Sequence, residues 1–193
     1  MAGAASENKV TFGLKNCYYA PITAETEDKV TYGTPIRIPG GVEIGLDPKG
    51  DMVEFYADDI LYYSAGNNQG YEGTLTIANI PEQFAIDCLG EIKDTNDGVI
   101  TEKSNTVGKK FALLFEFDGD VKAVRHALYY CSASRPSVKS STKTNSAEPN
   151  TNELTFTASA RPTDFSVKTK TTASTTEQIY NAWYTKVYEK ASS

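Results

Sequence analysis

The chain has 193 residues, with 25 acidic and 19 basic side chains, a formal net charge of −6 and 39% hydrophobic content. That length suits one domain, and an acidic balance argues against a protein that grips duplex DNA by neutralising phosphates. No apolar run approaches the roughly 20 residues of a membrane helix, and the start Met1-Ala2-Gly3-Ala4-Ala5-Ser6-Glu7 lacks the basic and apolar regions of a secretion signal.

Thr is the commonest residue, and Tyr occurs 12 times against one Trp and one His. Both Thr and Tyr favour strands and carry a polar tip beside an apolar body. Cys17, Cys88 and Cys131 are far apart, without CxxC spacing. They read as inert buried thiols rather than a disulfide framework or a zinc site.

Residues 1–9 are polar and read as an arm. Val10, Phe12 and Leu14 then alternate into a strand that Pro21 is expected to end. Val30 to Ile38 is a strand candidate weakened by Pro35. Val42, Ile44 and Leu46 alternate with Glu43, Gly45 and Asp47, and Pro48-Lys49-Gly50-Asp51 reads as a β-turn. Met52 to Tyr56 reads as the return strand. Residues 57–70, with Tyr62-Tyr63 and Gly66-Asn67-Asn68-Gln69-Gly70, read as a long loop. Tyr71 to Ala78 alternates again.

A short helix is expected over about 81–90. Pro81 suits its first turn, Glu82 its positive end, and Gly90 its left-handed stop. The strongest signal is a hairpin: Lys110 to Phe117, the turn Asp118-Gly119-Asp120, then Val121 to Ser132. Phe111, Leu113, Phe115 and Phe117 share one face, as do Val124, His126, Leu128 and Tyr130. Residues 136–152 are Ser-, Thr-, Lys- and Asn-rich and read as an exposed segment. Leu154 to Ala158 resumes as a strand, and Phe165 to Lys170 reads as an edge strand blunted by lysines. A C-terminal helix is expected over about 176–189, with Ile179, Trp183 and Val187 on one stripe and Tyr180, Tyr184 and Tyr188 beside it. The fold class is therefore mainly β with α+β character: a single domain, 1–193, with two short helices.

No catalytic constellation emerges. A lone histidine, His126, excludes most triads and His-metal sites. The pairs Asp58-Asp59, Asp94/Asp97 and Asp118/Asp120 fall in turns, where Asp bonds its own backbone. Catalytic, metal and cofactor residues are all expected to be none.

Several stretches carry a resemblance. They are Gly13-Leu14-Lys15-Asn16 with Tyr19-Ala20-Pro21; Leu46-Asp47-Pro48 with Gly50-Asp51 and Phe55-Tyr56-Ala57-Asp58; and Gly70-Tyr71-Glu72-Gly73. Phe111 to Asp120, running on into Arg125-His126 and Ser134-Arg135-Pro136, belongs to the set, as does Tyr180-Asn181-Ala182-Trp183. In this order, over nearly the whole chain, they resemble the major tail protein, or tail tube protein, of long-tailed bacteriophages of Gram-positive hosts. The resemblance implies a β-sandwich or half-barrel subunit with a flanking helix that assembles with itself into hexameric rings. These would stack into a hollow tube through which DNA passes without specific binding. It also implies tail terminator, distal tail and tape-measure partners, a place in the virion after assembly in the host cytoplasm, and no membrane.

Two groups of residues become candidates on that footing. Glu43, Asp47, Glu72 and Glu116 are candidates to face the lumen, where acids would repel phosphate. Tyr62, Tyr63, Tyr71, Trp183 and Tyr184 are candidates for subunit contacts. A secretion or contractile-tail tube is a related reading. The alternative from another class is a monomeric β-sandwich module that binds carbohydrate or a cell surface through exposed Tyr.

Overall fold

The computed structural model describes residues 6–138 and 150–190. The strands are β1 (Thr11–Glu25), β2 (Val30–Tyr32), β3 (Ile36–Arg37), β4 (Gly41–Lys49), β5 (Met52–Ala57), β6 (Ile60–Gly66), β7 (Gly70–Ile77), β8 (Ile92–Lys93), β9 (Ile100–Thr101), β10 (Phe111–Gly119), β11 (Val124–Ala133), β12 (Asn152–Ala158) and β13 (Lys168–Lys170). Helix α1 (Glu82–Phe84) runs on as a single π-helical turn, Ala85–Leu89, and α2 spans Glu177–Asn181.

One nine-stranded antiparallel sheet dominates, in the order β2-β1-β10-β11-β12-β7-β4, with β3 beside β1 and β13 beside β11. The sheet curls until its far strands meet. Ile38 N–H donates to the Cys17 carbonyl at 2.8 Å, and Gly41 lies against Cys17 and Leu14. The curl is not a closed barrel: β4 pairs only with β7. The fold is the half-barrel, sandwich-like class expected.

Alternation decides which face is filled. Tyr19, Leu75, Phe111, Leu113, Phe115, Leu128, Leu154 and Phe156 point inward, and Phe84 and Cys88 of the helical element close the end. Phe84 meets both Tyr19 and Phe111 edge-on, at 4.9 and 5.2 Å between ring centres, the arrangement aromatic quadrupoles favour. The three thiols are buried in this core. Burial pushes the Cys17 thiol up to about 12 and raises Cys88 and Cys131 as well. Gly73 faces the Phe156 ring so closely that a Cβ there would overlap it. Gly73→Ala is therefore expected to cost about 1–3 kcal/mol by overpacking, read as a lower urea midpoint at unchanged slope.

Several expectations need correction. Pro21 does not end β1, which continues to Glu25. Its carbonyl accepts from Gly33 N–H at 2.8 Å, so its missing N–H points to the gap between β3 and β2, where no partner strand needs it. Val30 to Ile38 is two short strands broken around Pro35. Pro48 and Lys49 stay in β4 rather than turning. Met52 to Tyr56 does not return along β4, and residues 57–70 are not a loop: β5 pairs with β6 as a separate hairpin.

The turn of the core hairpin is shifted and filled. Asn8 Oδ1 accepts from Val121 and Lys122 N–H at 3.0 and 2.9 Å, and Asn8 Nδ2 donates to the Lys122 carbonyl at 2.6 Å. The described part of the arm is thus pinned to the turn after β10. Tyr130 leaves the face of His126 and Leu128 because β11 carries a bulge between Leu128 and Cys131. The helix at 81–90 forms, with Gly90 left-handed at φ 80°. Residues 1–5 and 139–149, parts of the expected arm and polar segment, lie outside the described residues.

Candidate assembly surfaces

The β5–β6 hairpin stands apart from the main sheet. Its turn is Asp58-Asp59, both with positive φ (52° and 60°), the geometry a two-residue hairpin turn requires. Register places Val53 opposite Ala65, Phe55 opposite Tyr63 and Tyr56 opposite Leu61, with Tyr62 bulged out. Every large side chain in it is open: Met52, Val53, Phe55, Tyr56, Ile60, Leu61, Tyr63 and Tyr62, the last 69% exposed. A two-stranded ribbon is marginal in water by itself, and a soluble monomer rarely keeps so contiguous an apolar surface open. Tyr62 and Tyr63, singled out by sequence, belong to this surface. Tyr71 does not: it is half-buried under Lys168, whose Nζ lies 4.3 Å from the ring centre.

A second surface comes from strand parity. Ile44, Leu46, Leu75, Leu154 and Phe156 take the inward positions of β4, β7 and β12. Their neighbours must face outward. The register aligns them in three rows: Glu43–Thr76–Glu153, Gly45–Thr74–Thr155 and Asp47–Glu72–Thr157. Glu43, Asp47, Glu72 and Glu153 are exposed. Lys49 bridges Glu72 at 2.7 Å, relieving part of the repulsion between Asp47 and Glu72 directly opposite. Three of the four sequence-selected acids thus share one open face floored with threonine. Glu153 was missed, although the alternation of Leu154 and Phe156 was the signal that would have found it.

Glu116 is different. It is 5% exposed and spent inside the subunit. Its carboxylate accepts from Asn16 Nδ2 at 2.7 Å, Arg125 Nε at 2.9 Å and the Tyr184 hydroxyl at 3.0 Å. Those bonds tie down the C-terminal segment over the outer face of β1, β10 and β11. Trp183 is 3% exposed and packs with Val187 against Ala112, Leu114, Ala127 and Tyr129. Tyr184 stacks on Tyr18 at 4.6 Å. Trp183 and Tyr184 are therefore internal contacts, and Glu116 presents no free charge to solvent. The segment is also less helical than expected: α2 stops at Asn181, and turns carry the chain to Trp183 and Val187. Arg161 holds its far end, with Nη1 donating to Glu189 at 2.9 Å and Nε to Asp164 at 2.9 Å. The Arg161 guanidinium holds the Asp164 carboxyl well below the usual carboxylate range.

The acidic pairs have structural work. Asp94 Oδ1 accepts from Asn96 N–H at 2.7 Å, and Asp97 Oδ1 from Val99 N–H at 2.9 Å. Asp118 pairs with Lys15, and Asp120 accepts from Lys9 N–H at 2.9 Å. No cluster of three potential metal ligands occurs among the described residues, and no helix there is long and apolar enough to cross a membrane.

His126 stacks flat on Phe115 at 5.1 Å, and burial, helped by Lys168 and Lys170, pushes its pKa down to about 4. Between its ordinary 6.5 and about 4 the unfolded chain binds the proton and the folded chain does not. Stability is full above 6.5 and falls as the pH drops through that window. His126→Gln should flatten the decline between pH 7 and 5 by about 1–2 kcal/mol, measured by urea unfolding.

The apolar hairpin and the acidic face of β4, β7 and β12 are the two large open surfaces described above. A family model described as phage tail tube protein matches residues 1–192. The chain belongs to the phage tail tube protein family. That makes it a structural component of the virion tail, in a family that is not one of enzymes. Membership points to self-association and to other tail components as partners. Among solved structures the chain is similar to the cap of the anti-feeding prophage, described as its tube terminating cap. The identity is 14% and the TM-score 0.49, with 89% of this chain and 99% of that one covered. No curated protein matches.

Proposed function

We propose that this tail tube protein of a long-tailed phage of a Gram-positive host forms stacked hexameric rings. They assemble in the host cytoplasm, and the phage DNA is ejected through them. The observation that carries the reading is the β5–β6 hairpin, whose eight large apolar side chains are all left exposed by the described residues. Stacking would bury it between rings, with Tyr62 and Tyr63 in the contact. The acid and threonine face of β4, β7 and β12 then lines the lumen. Glu43, Asp47, Glu72 and Glu153 repel phosphate within the ~8 Å reach of charge at physiological salt, and DNA slides without sticking. The tail terminator, distal tail and tape-measure proteins cap and fill such a tube.

A reconstruction of tubes grown from the purified chain tests this. Six subunits per ring, hairpins at the ring junctions and Glu72 toward the lumen are expected. A strictly monomeric product that binds glycan through Tyr62 and Tyr63 would overturn it in favour of a cell-surface binding module.

A further inference from the structure

The C-terminal segment is tied to the sheet at His126 and its neighbour. The Trp183 indole N–H donates to the His126 carbonyl at 3.3 Å. Thr171, 3% exposed, is bonded twice to Arg125. Its N–H donates to the Arg125 carbonyl at 2.8 Å, and its hydroxyl accepts from Arg125 N–H at 2.9 Å. Between these ties the chain makes the turn at Thr172–Thr175 and then α2. The start of the segment is therefore held by β13, three residues long, which pairs with no strand except β11.

The ring of His126 points the other way, into the half-barrel, against Phe115 and Phe117. From β13 it meets cations. Register sets Lys170 directly opposite His126 and Lys168 opposite Leu128, so parity puts both lysines on the face of the ring. From β10 it meets only Phe115 and Phe117, because Glu116 and Arg125 pair with each other on the opposite face. Lys168 reaches on to the Tyr71 hydroxyl of β7 at 3.0 Å. Glu7 and Lys122 line a cleft with Lys170 at the end of β13, one charge of each sign, and no ion pair joins Glu7 to Lys170 among the described residues. The charges that act on the ring are those of Lys168 and Lys170.

We infer that His126 is an acid-operated catch: a proton on its imidazole gathers three cations on one face of the β11–β13 pair, and β13 lets go with the C-terminal segment behind it. Like charges directly opposite each other weaken a strand pair, and a strand of three residues has few ladder bonds to resist. The closed form keeps the ring neutral, since burial and the two lysines push its pKa down to about 4, whereas the opened form takes a proton near the ordinary 6.5. Opening is therefore proton uptake and is favoured as the pH falls. Between pH 7 and pH 5 a group moving between those two values shifts the opening equilibrium by up to about twentyfold. The catch belongs to the single subunit. Its release uncovers the face of Ala20, Ala112, Leu114 and Ala127 that Trp183 and Val187 cover.

Amide hydrogen exchange on the purified chain at pH 7 and pH 5, corrected for intrinsic rates, tests this. Protection at Thr171, Tyr180 and Trp183 should fall severalfold, up to about twentyfold, and stay below that of Leu113 and Leu114 in β10 at both pH values. His126→Gln should remove the pH dependence at those three amides. Lys170 is exposed and in no ion pair among the described residues, so Lys170→Glu should fold. It sets a carboxylate opposite the ring, and the fall should shrink at least twofold. Protection at the three amides that changes less than twofold in the wild type overturns the inference. So does an undiminished fall in either variant. Equal protection of β10 and the C-terminal segment at pH 5 would mean that acid opens the whole subunit at once, and overturns it too.

Discussion

Replacing residues 51–68 with an Asn-Gly turn is expected to give a subunit that folds and forms no tubes. The deletion is clean because Lys49 and Gly70 already face each other at the base of the hairpin, and Gln69 N–H donates to the Lys49 carbonyl at 3.0 Å. An Asn-Gly pair closes two antiparallel strands at that spacing. The hairpin adds nothing to the core, whose members lie in the main sheet and the α1 element. Melting should move little. Association should fail because the eight large side chains that the contact would bury are gone. Fully burying one such group is worth about 1.5–3 kcal/mol before the costs of association. Negative-stain microscopy with light scattering reads the outcome. Normal tubes from the deleted chain would mean that other surfaces hold the stack.

The second large effect concerns stability. Glu116→Ala removes the acceptor for Asn16, Arg125 and Tyr184 together. Arg125 keeps the Tyr180 carbonyl and lies 3.7 Å from the centre of the Tyr180 ring, but loses its counter-charge. Stranding one half of a buried ion pair costs about 3–5 kcal/mol. Tyr184→Phe removes one bond and should cost about 1 kcal/mol. Because both changes act on one network, their effects should not add. Urea unfolding measures the free energies, and protease cleavage within 177–190 should accelerate only when the segment is loosened. If Glu116→Ala melts like the wild type, the carboxylate is not what anchors that segment.

The legible parts of the fold were those with one wet and one dry face. Phe111, Leu113, Phe115 and Phe117 alternate cleanly, so β10 could be read from spacing alone. The same parity placed Glu43, Asp47 and Glu72 outward together. The hairpin was hidden for the opposite reason. Both of its faces carry large apolar side chains, so Tyr62-Tyr63 and Ile60-Leu61 show no alternation, and its turn is Asp-Asp instead of Asn-Gly. Glu116 has the parity of a surface residue. Its burial depends on Trp183 and Tyr184, more than sixty residues away, folding back over it. A one-residue bulge moved Tyr130 off its expected face, and bulges leave little trace in composition. The spacing of Ile179, Trp183 and Val187 suited a helix, yet Trp183 reaches the sheet from a turn and Val187 from the irregular stretch beyond it.

The three thiols sealed in the core give the subunit an internal counter. With Cys17, Cys88 and Cys131 buried and their thiolates disfavoured, a thiol reagent outside finds nothing to label while the fold is shut. Each label gained therefore marks a subunit that has opened. Labelling free subunits and tubes side by side would time how long a subunit stays closed once its neighbours hold it.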